Sequence, residues 1–268
     1  MIPVFVPSYG RPKATFLSRS PLYKFPLYVF VRKEQAEQYR WIKSRDNTRL
    51  VLLNNVTNIG QTRAAMIRYA MSHGIDKVFM VDDDVSRLDI SVWDDDKQIV
   101  RASGTVLGRP EDWNKALQTW EHIWEDEALL GASYRPYSWS MRKEDIQKKP
   151  RAQLQQCVGV NVRLLKQFGL NYRDSREVGN EDLFLQLECM QHGLATTKTN
   201  LIQYDCPSMG AGNGGCNLSE DGTIQEKQIR RVKLFLEACN NSDLVVVKAT
   251  KSGVPSIKFN WGLIPERR

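Results

Sequence analysis

Residues 77–88 read KVFMVDDDVSRL, an apolar run that ends in three adjacent carboxylates, in a chain with 38 Lys and Arg against 31 Asp and Glu and a formal charge of +7. At strand spacing Asp82 and Asp84 point to one side and Asp83 to the other, so Asp82 and Asp84 can share a hard cation through oxygen ligands. Carboxylates crowded at a strand end repel one another. A divalent metal, Mn²⁺ or Mg²⁺, bridging them to a phosphate relieves that repulsion. The plainer alternative is a solvated acidic turn or a helix cap, both of which suit Asp. A second acidic site lies in VGNEDLFLQL, where Asn180 reads as an N-cap and Glu181 and Asp182 as first-turn acids favoured by the helix dipole. A third stretch, CPSMGAGNGGCNLSEDGT, holds four glycines within residues 210–215. So few side chains suit a mobile lid or a backbone nest for phosphate, or equally a simple surface loop.

The elements that must position these groups follow from periodicity. IPVFVPSYGRP is a strand that stops at Pro7 and runs into a Ser/Gly/Pro loop; FPLYVFVRKEQAEQYRWIK is a second strand followed by a helix; TRLVLLNNV is a third strand. GQTRAAMIRYAMSHG is a helix by the spacing of Ala65, Met66, Tyr69 and Ala70, with Gly74 as its stop, and DKVFMVDDD is a fourth strand. Strands alternating with helices predict an α/β domain with a mostly parallel sheet, and such sheets bind ligands at the strands' carboxyl ends. Residues 89–150 show little strand pattern. RPEDWNKALQTWEHIWEDEALLG reads as a helix from Pro110 to Gly131, with Trp113, Trp120 and Trp124 on one face, more in the manner of buried core than of a base-stacking platform. Further on come a strand and helix (QLQQCVGVNVRLLKQFGL), a helix (NEDLFLQLECMQHG), a strand (LATTKTNLIQYD), a closing helix (IQEKQIRRVKLFLEAC) and a basic tail.

With 268 residues, 41% hydrophobic and 26% charged, the chain can bury a full core. It has no apolar run of membrane-spanning length and no leader-like N-terminus, so we expect a cytoplasmic protein with no membrane partner. Five widely spaced cysteines, Cys157, Cys189, Cys206, Cys216 and Cys239, fit reduced thiols better than disulfides or a zinc site. The basic surplus clusters in 140–153, 226–233 and 248–268, which suits a polyanionic partner or simply solvated faces.

Taken in order, PVFVPSYGRP, NIGQTRAAMIRYA and VFMVDDDV resemble the nucleotide-sugar half of the GT-A fold glycosyltransferases. The resemblance implies a Rossmann-like sheet flanked by helices in a single domain. It makes Pro7, Ser8, Tyr9, Gly10 and Arg11 the loop that touches the nucleotide, Asn58, Gly60 and Arg63 a donor-binding turn and helix, and Asp82 to Asp84 the metal-binding Asp-x-Asp, with Asp84 and Asp82 on the metal and Asp82 and Asp83 on the donor. Inverting members carry an acidic pair at a helix start with the aspartate as base, which Glu181 and Asp182 match. The second strand ends VFVRKEQ where many members have an aspartate for uracil. No histidine stands in an obvious third-ligand position; Asp205, Asn213 or only water and phosphate would complete the metal shell. The size, the VPSYGRP start, the VDDDV turn and the Gly-rich segment are similar to the TET/JBP-associated glycosyltransferases of bacteriophages, which are believed to attach sugars to hydroxymethylated pyrimidines in DNA.

The implied reaction is attack of an acceptor hydroxyl on the anomeric carbon of a nucleoside diphosphate sugar, a UDP-sugar first among them. The metal at Asp84 and Asp82, helped by Arg63 or Arg11, neutralises the leaving diphosphate, and Asp182 or Glu181 takes the hydroxyl proton. The implied division is a nucleotide-sugar half (1–100), an acceptor half (101–205), the Gly-rich loop (206–223) and the C-terminal helix and tail (224–268). For DNA contact, residues 134–145 mix aromatics with Arg142 and Lys143, and Trp93, Tyr134, Tyr137 and Trp139 are the stacking candidates. A nucleotidyltransferase or a non-catalytic nucleic-acid-binding domain are the rival readings. The single glycine in PSYGRPK speaks against the first.

Overall fold

The first strand, β1 (Val4–Pro7), is buried along its whole length, as expected of a central strand covered on both faces. The computed structural model describes residues 1–18, 23–103, 109–135, 141–146, 148–150, 152–207, 222–240, 242–250 and 253–263. After β1 come α1 (Thr15–Ser18), β2 (Leu27–Arg32), a 3₁₀ helix over Lys33–Ser44, β3 (Thr48–Leu53), α2 (Ile59–Ser72) and β4 (Lys77–Val81). Then follow β5 (Arg87–Asp94), β6 (Ile99–Ala102), α3 (Pro110–Ile123), β7 (Leu129–Tyr134), β8 (Lys148–Pro150), β9 (Cys157–Asn161), α4 (Val162–Gln167), α5 (Ser175–Val178) and α6 (Glu181–Gln191). The chain continues through β10 (Thr196–Asp205), α7 (Ile224–Ala238), β11 (Val245–Ala249) and β12 (Pro255–Phe259).

Ten strands form one sheet in the order β3-β2-β1-β4-β9-β7-β10-β5-β6, with β8 pairing β10 from off this path. The run β3-β2-β1-β4 is parallel, as is the β7–β10 pair, while β9, β5 and β8 run against their neighbours. This is the expected α/β domain with a Rossmann-like, largely parallel sheet between helices. One core layer lies between the sheet and α3 and the 3₁₀ helix; the other lies under α2, α4 and α6. Trp113, Trp120 and Trp124 are all buried in the first layer, so the tryptophan stripe is core. Phe79 packs against Trp120 and Trp124 with ring centroids 4.7 and 5.6 Å apart.

Several elements differ from the sequence expectation. The α3 helix stops at Ile123 instead of reaching Gly131, and the residues beyond it become the interior strand β7. Gly131 is no helix stop: it lies inside β7, where a Cβ would come 2.6 Å from Leu154 Cδ2 and push that side chain aside. The β5–β6 hairpin lies in the stretch that showed little strand pattern. Its first turn of alternation is hidden because Arg87 and Asp89 are buried together as an ion pair at 2.7 Å, so charged residues stand where apolar ones are expected. The segment after β2 winds as a 3₁₀ helix. Part of the basic tail folds into the β11–β12 hairpin, which forms a third apolar cluster with α6 and α7. Gly74, at φ 65°, does end α2 as its sequence suggests. Cys157, Cys189, Cys206 and Cys239 are free thiols; Cys216 and the Gly-rich segment lie outside the described residues. Among the described residues no helix is long and apolar enough to cross a membrane.

Candidate active site

The parallel pairing of β1 with β4 and β2 brings the loop after Pro7 beside the carboxylate triplet. The strand β4 ends at Val81. Asp82 to Val85 form a turn closed by a hydrogen bond from the Val85 N–H to the Asp82 carbonyl at 3.2 Å. The side chains of Asp82 and Asp84 are 23% and 26% exposed, whereas that of Asp83 is 6% exposed, so a turn rather than strand alternation sorts one carboxylate inward and two outward.

Asp83 is a structural anchor. Ser8 Oγ donates to its Oδ2 at 2.5 Å and Arg11 Nη1 to its Oδ1 at 2.9 Å. Burial pushes its pKa up to about 7, against the pull of the Ser8 hydrogen bond and the Arg11 charge. Arg11 also donates to Asp84 Oδ2 at 2.9 Å. Tyr39, in the 3₁₀ helix, completes the corner: its hydroxyl lies 2.7 Å from Ser8 Oγ and accepts the Arg11 N–H at 3.0 Å. Pro7 closes β1, and Tyr9 is half-buried with the Arg32 guanidinium 3.9 Å above its ring centre. Arg32 is the end of β2, where many GT-A enzymes would carry an acid, so the wall beside Tyr9 is cationic.

The opposite side of the turn is tied to α6 by one residue. Arg63, buried in α2, donates from Nη2 to Asp82 Oδ1 and from Nη1 to Glu181 Oε1, each at 2.8 Å. Desolvation favours loss of its proton, but the two carboxylates outweigh it and hold the guanidinium charged. Glu181 accepts a further hydrogen bond from Ser175 Oγ at 3.2 Å, and burial pushes its pKa up to about 7. Asp182 accepts the Leu183 N–H at 2.8 Å, and burial raises its pKa against the attraction of Arg63. Asn180 is the α6 N-cap residue by position, yet its side chain makes no capping bond and its Nδ2 is buried without a partner. The acids at the start of α6 are thus built into a buried network and are more than surface dipole complements.

Asn58 caps α2 by accepting the Gln61 N–H at 3.0 Å, and donates to Asp174 at 2.7 Å. Gln61 Nε2 donates to the same carboxylate at 2.8 Å, and the Gly60 N–H donates to Ser175 Oγ at 2.9 Å. A Cβ on Gly60 would lie 2.1 Å from the Arg173 carbonyl, so only glycine lets the start of α2 dock on residues 173–175. Sequence reading missed Tyr39, Asp174 and Ser175. The last two had a signal, since Asp174-Ser-Arg-Glu177 fits an N-cap with an acid three residues on. Tyr39 had none.

The acceptor candidates fare differently. Tyr137 and Trp139 lie outside the described residues. Arg142 pairs with Glu144 at 3.2 Å and Lys143 with Asp95 at 3.4 Å, both exposed. Tyr134 packs on Tyr204, ring centres 5.6 Å apart, and Trp93 is half-buried in β5. His73 and His192 cap helix C-termini and His122 lies within α3.

The carboxylates fit a hard cation. Asp84 Oδ1 is buried without a hydrogen-bond partner, and Asp82 lies close enough to raise the Asp84 pKa after burial has done so. Among the described residues no group of three or more His, Cys, Asp or Glu forms a metal cage. Asp205 is held by Arg135 at 3.2 Å, and Asn213 lies outside the described residues. A cation here would therefore rest on Asp82 and Asp84, with phosphate and water oxygens around the rest of it.

The family model for TET-Associated Glycosyltransferase matches residues 2–214, most of the chain and every residue of this constellation. The chain belongs to that family. Membership in the TET-associated glycosyltransferases makes the protein a glycosyltransferase. Similar solved structures include the 4-diphosphocytidyl-2C-methyl-D-erythritol synthase from Anaerococcus prevotii DSM 20548, with 8% identity, TM-score 0.43, 87% of this chain and 96% of that one covered. Others are the inositol-1-phosphate CTP transferase from T. maritima (10%, 0.41, 87% and 96%) and UDP-glucose pyrophosphorylase complexed with UDP-glucose (9%, 0.38, 90% and 98%). No curated protein matches this member of the family.

Proposed function

We propose that the protein transfers a sugar, with inversion, from a nucleoside diphosphate sugar to the hydroxyl of a 5-hydroxymethylpyrimidine in DNA, 5-hydroxymethylcytosine first. The observation that carries the reading is the buried Asp82–Arg63–Glu181 bridge, which joins the carboxylate turn suited to a donor's metal and diphosphate to the helix that starts with Asp182. Family membership supports a nucleotide-sugar donor and a DNA-modifying role. UDP-sugars are the first donors to test, although Arg32 over Tyr9 departs from the acidic uracil site of many GT-A enzymes.

Asp82 and Asp84 would hold the metal, Mn²⁺ or Mg²⁺, which when bound supplies positive charge to the diphosphate oxygens. Arg11 is part-exposed between Asp83 and Asp84 and sits where it can move its charge onto a phosphate; Arg63 is enclosed by its two carboxylates and serves to hold the turn and α6 in register. Ser8, Tyr39 and Asp83 keep the nucleotide-side loop fixed. Asp182, whose basicity burial increases, takes the proton from the acceptor hydroxyl as the C–O bond to the leaving diphosphate breaks. Glu181, committed to Arg63 and Ser175, orients α6. The rate should therefore rise with pH across an acid limb lying above the ordinary carboxylate range, because Asp182 must lose its proton before it can accept one.

The acceptor is tested with DNA containing 5-hydroxymethylcytosine beside the same DNA unmodified, each with a panel of UDP-sugars and Mn²⁺. A mass increase of one sugar in the first and none in the second is expected. Transfer to a saccharide or protein with none to hydroxymethylated DNA would overturn the acceptor assignment. For the metal, Asp84→Asn should fold normally, lose most turnover and lose the Mn²⁺-dependent part of donor binding by calorimetry. Near-normal turnover in Asp84→Asn would remove this carboxylate from the metal site.

A further inference from the structure

The segment between α4 and α5 is clamped to both helices that border the acids. Asn171 Nδ2 donates to the Ala64 carbonyl of α2 at 3.3 Å, and Arg173 Nη2 donates to Glu188 Oε1 of α6 at 2.8 Å. One turn on, Ser175 Oγ accepts the Gly60 N–H and donates to Glu181. Tyr172 stands between these anchors. It packs in the core layer under α2, and the Arg63 guanidinium carbon lies 5.8 Å from the centre of its ring. The phenol is therefore beside the cation that joins Asp82 to Glu181.

Tyr172 is only 7% exposed, yet among the described residues its hydroxyl makes no hydrogen bond. Its polar contacts are the backbone N–H, which donates to Asn171 Oδ1 at 2.8 Å, and the ring, which meets Arg63. A hydroxyl enclosed this far without a partner costs free energy, and such groups in folded proteins call for a use. Burial pushes the phenol pKa up; Arg63 pulls it down, and Asp182, Glu181 and Asp82 push it further up. The hydroxyl thus stays protonated, able both to donate and to accept. It also feels both the carboxylate turn and the acids that open α6.

In a displacement with inversion the diphosphate leaves from one side of the anomeric carbon and the acceptor attacks from the other. The sugar ring then fills the gap between the turn at Asp82 and the base at Asp182. We propose that the Tyr172 hydroxyl hydrogen-bonds a ring hydroxyl of the sugar being transferred. This rests on the nucleotide-sugar reading above. A neutral phenol suits a neutral sugar hydroxyl, where another carboxylate would add repulsion to the acids already present. The anchors at residues 171, 173 and 175 hold the phenol in place before the donor arrives, so little freedom is lost on binding.

The test is Tyr172→Phe, which keeps the ring in the core and removes only the hydroxyl. The probes are UDP, UDP-glucose, UDP-galactose and UDP-N-acetylglucosamine with Mn²⁺. For the sugar that wild-type protein transfers best, the variant should lose about 3- to 10-fold in kcat/KM, the scale of one hydrogen bond between neutral groups. Its affinity for UDP by calorimetry should be unchanged, and its Tm equal or slightly higher, because no bond within the protein is lost. Among the singly deoxygenated forms of that donor, one should be poorer than the parent with wild-type protein and equal to it with Tyr172→Phe, which identifies the hydroxyl contacted. An unchanged kcat/KM, or a loss shared equally by UDP and accompanied by a lower Tm, would overturn the proposal. Wild-type protein that binds none of the four probes would instead bring down the nucleotide-sugar reading on which the proposal rests.

Discussion

Asp182→Asn should lower the rate of sugar transfer by about 10² or more while leaving donor affinity close to that of the wild type. The amide keeps the shape of the carboxylate and can still accept the Leu183 N–H at the start of α6, so the helix and its packing persist. What the amide cannot do is take a proton. The defect should appear in kcat with KM for the donor little changed, added Mn²⁺ should not rescue it, and the acid limb of the pH profile should disappear with the residue that causes it. A variant with full kcat and only a lower melting temperature would return Asp182 to the role of a first-turn acid.

Arg63→Met is the substitution with the largest expected effect on the fold around the site. It leaves Asp82 and Glu181 buried near each other without the cation that each contacts at 2.8 Å. Removing one partner from a buried ion pair costs about 3–5 kcal/mol, which in a chain of this size lowers Tm by roughly 6–20 °C. The pH dependence follows from the sign of the change. Without Arg63 the Glu181 carboxyl, which burial already holds above its ordinary value, loses the charge that opposes that rise, so its folded-state pKa moves further above the unfolded one. The folded state then binds more protons, and stability falls as pH rises between those limits. The deficit of the variant relative to wild type should therefore be larger at pH 8 than at pH 5. Arg63→Lys keeps the charge without the two-pronged geometry, so it should recover part of the stability and little of the transfer rate. An Arg63→Met protein with wild-type Tm at pH 8 would show that the bridge is not what holds the turn to α6.

The sequence by itself determined the central half of the sheet and the positions of its acids. Long apolar strands such as VFV and KVFMV and the amphipathic α2 carry their periodicity locally. The strand-end aspartates and the Asn-Glu-Asp helix start are recognisable because short polar side chains at element ends have few other uses. Local patterns were less informative where burial was shared between distant segments. Strand β7 carries the look of a helix end because Gly131 signals a stop, and only the tertiary structure places that glycine inside the sheet with Leu154 packed against it. Strand β5 was hidden because Arg87 and Asp89 satisfy each other inside the protein. The tertiary structure alone decided the roles within the site. Nothing local to residues 58–63 says that Arg63 joins Asp82 to Glu181, 118 positions away from Arg63 itself, or that Asp83 is fixed by Ser8 across 75 positions. Such pairings depend on strand order, and strand order is set by which apolar faces can be buried together, a property of the whole chain that no window of sequence contains.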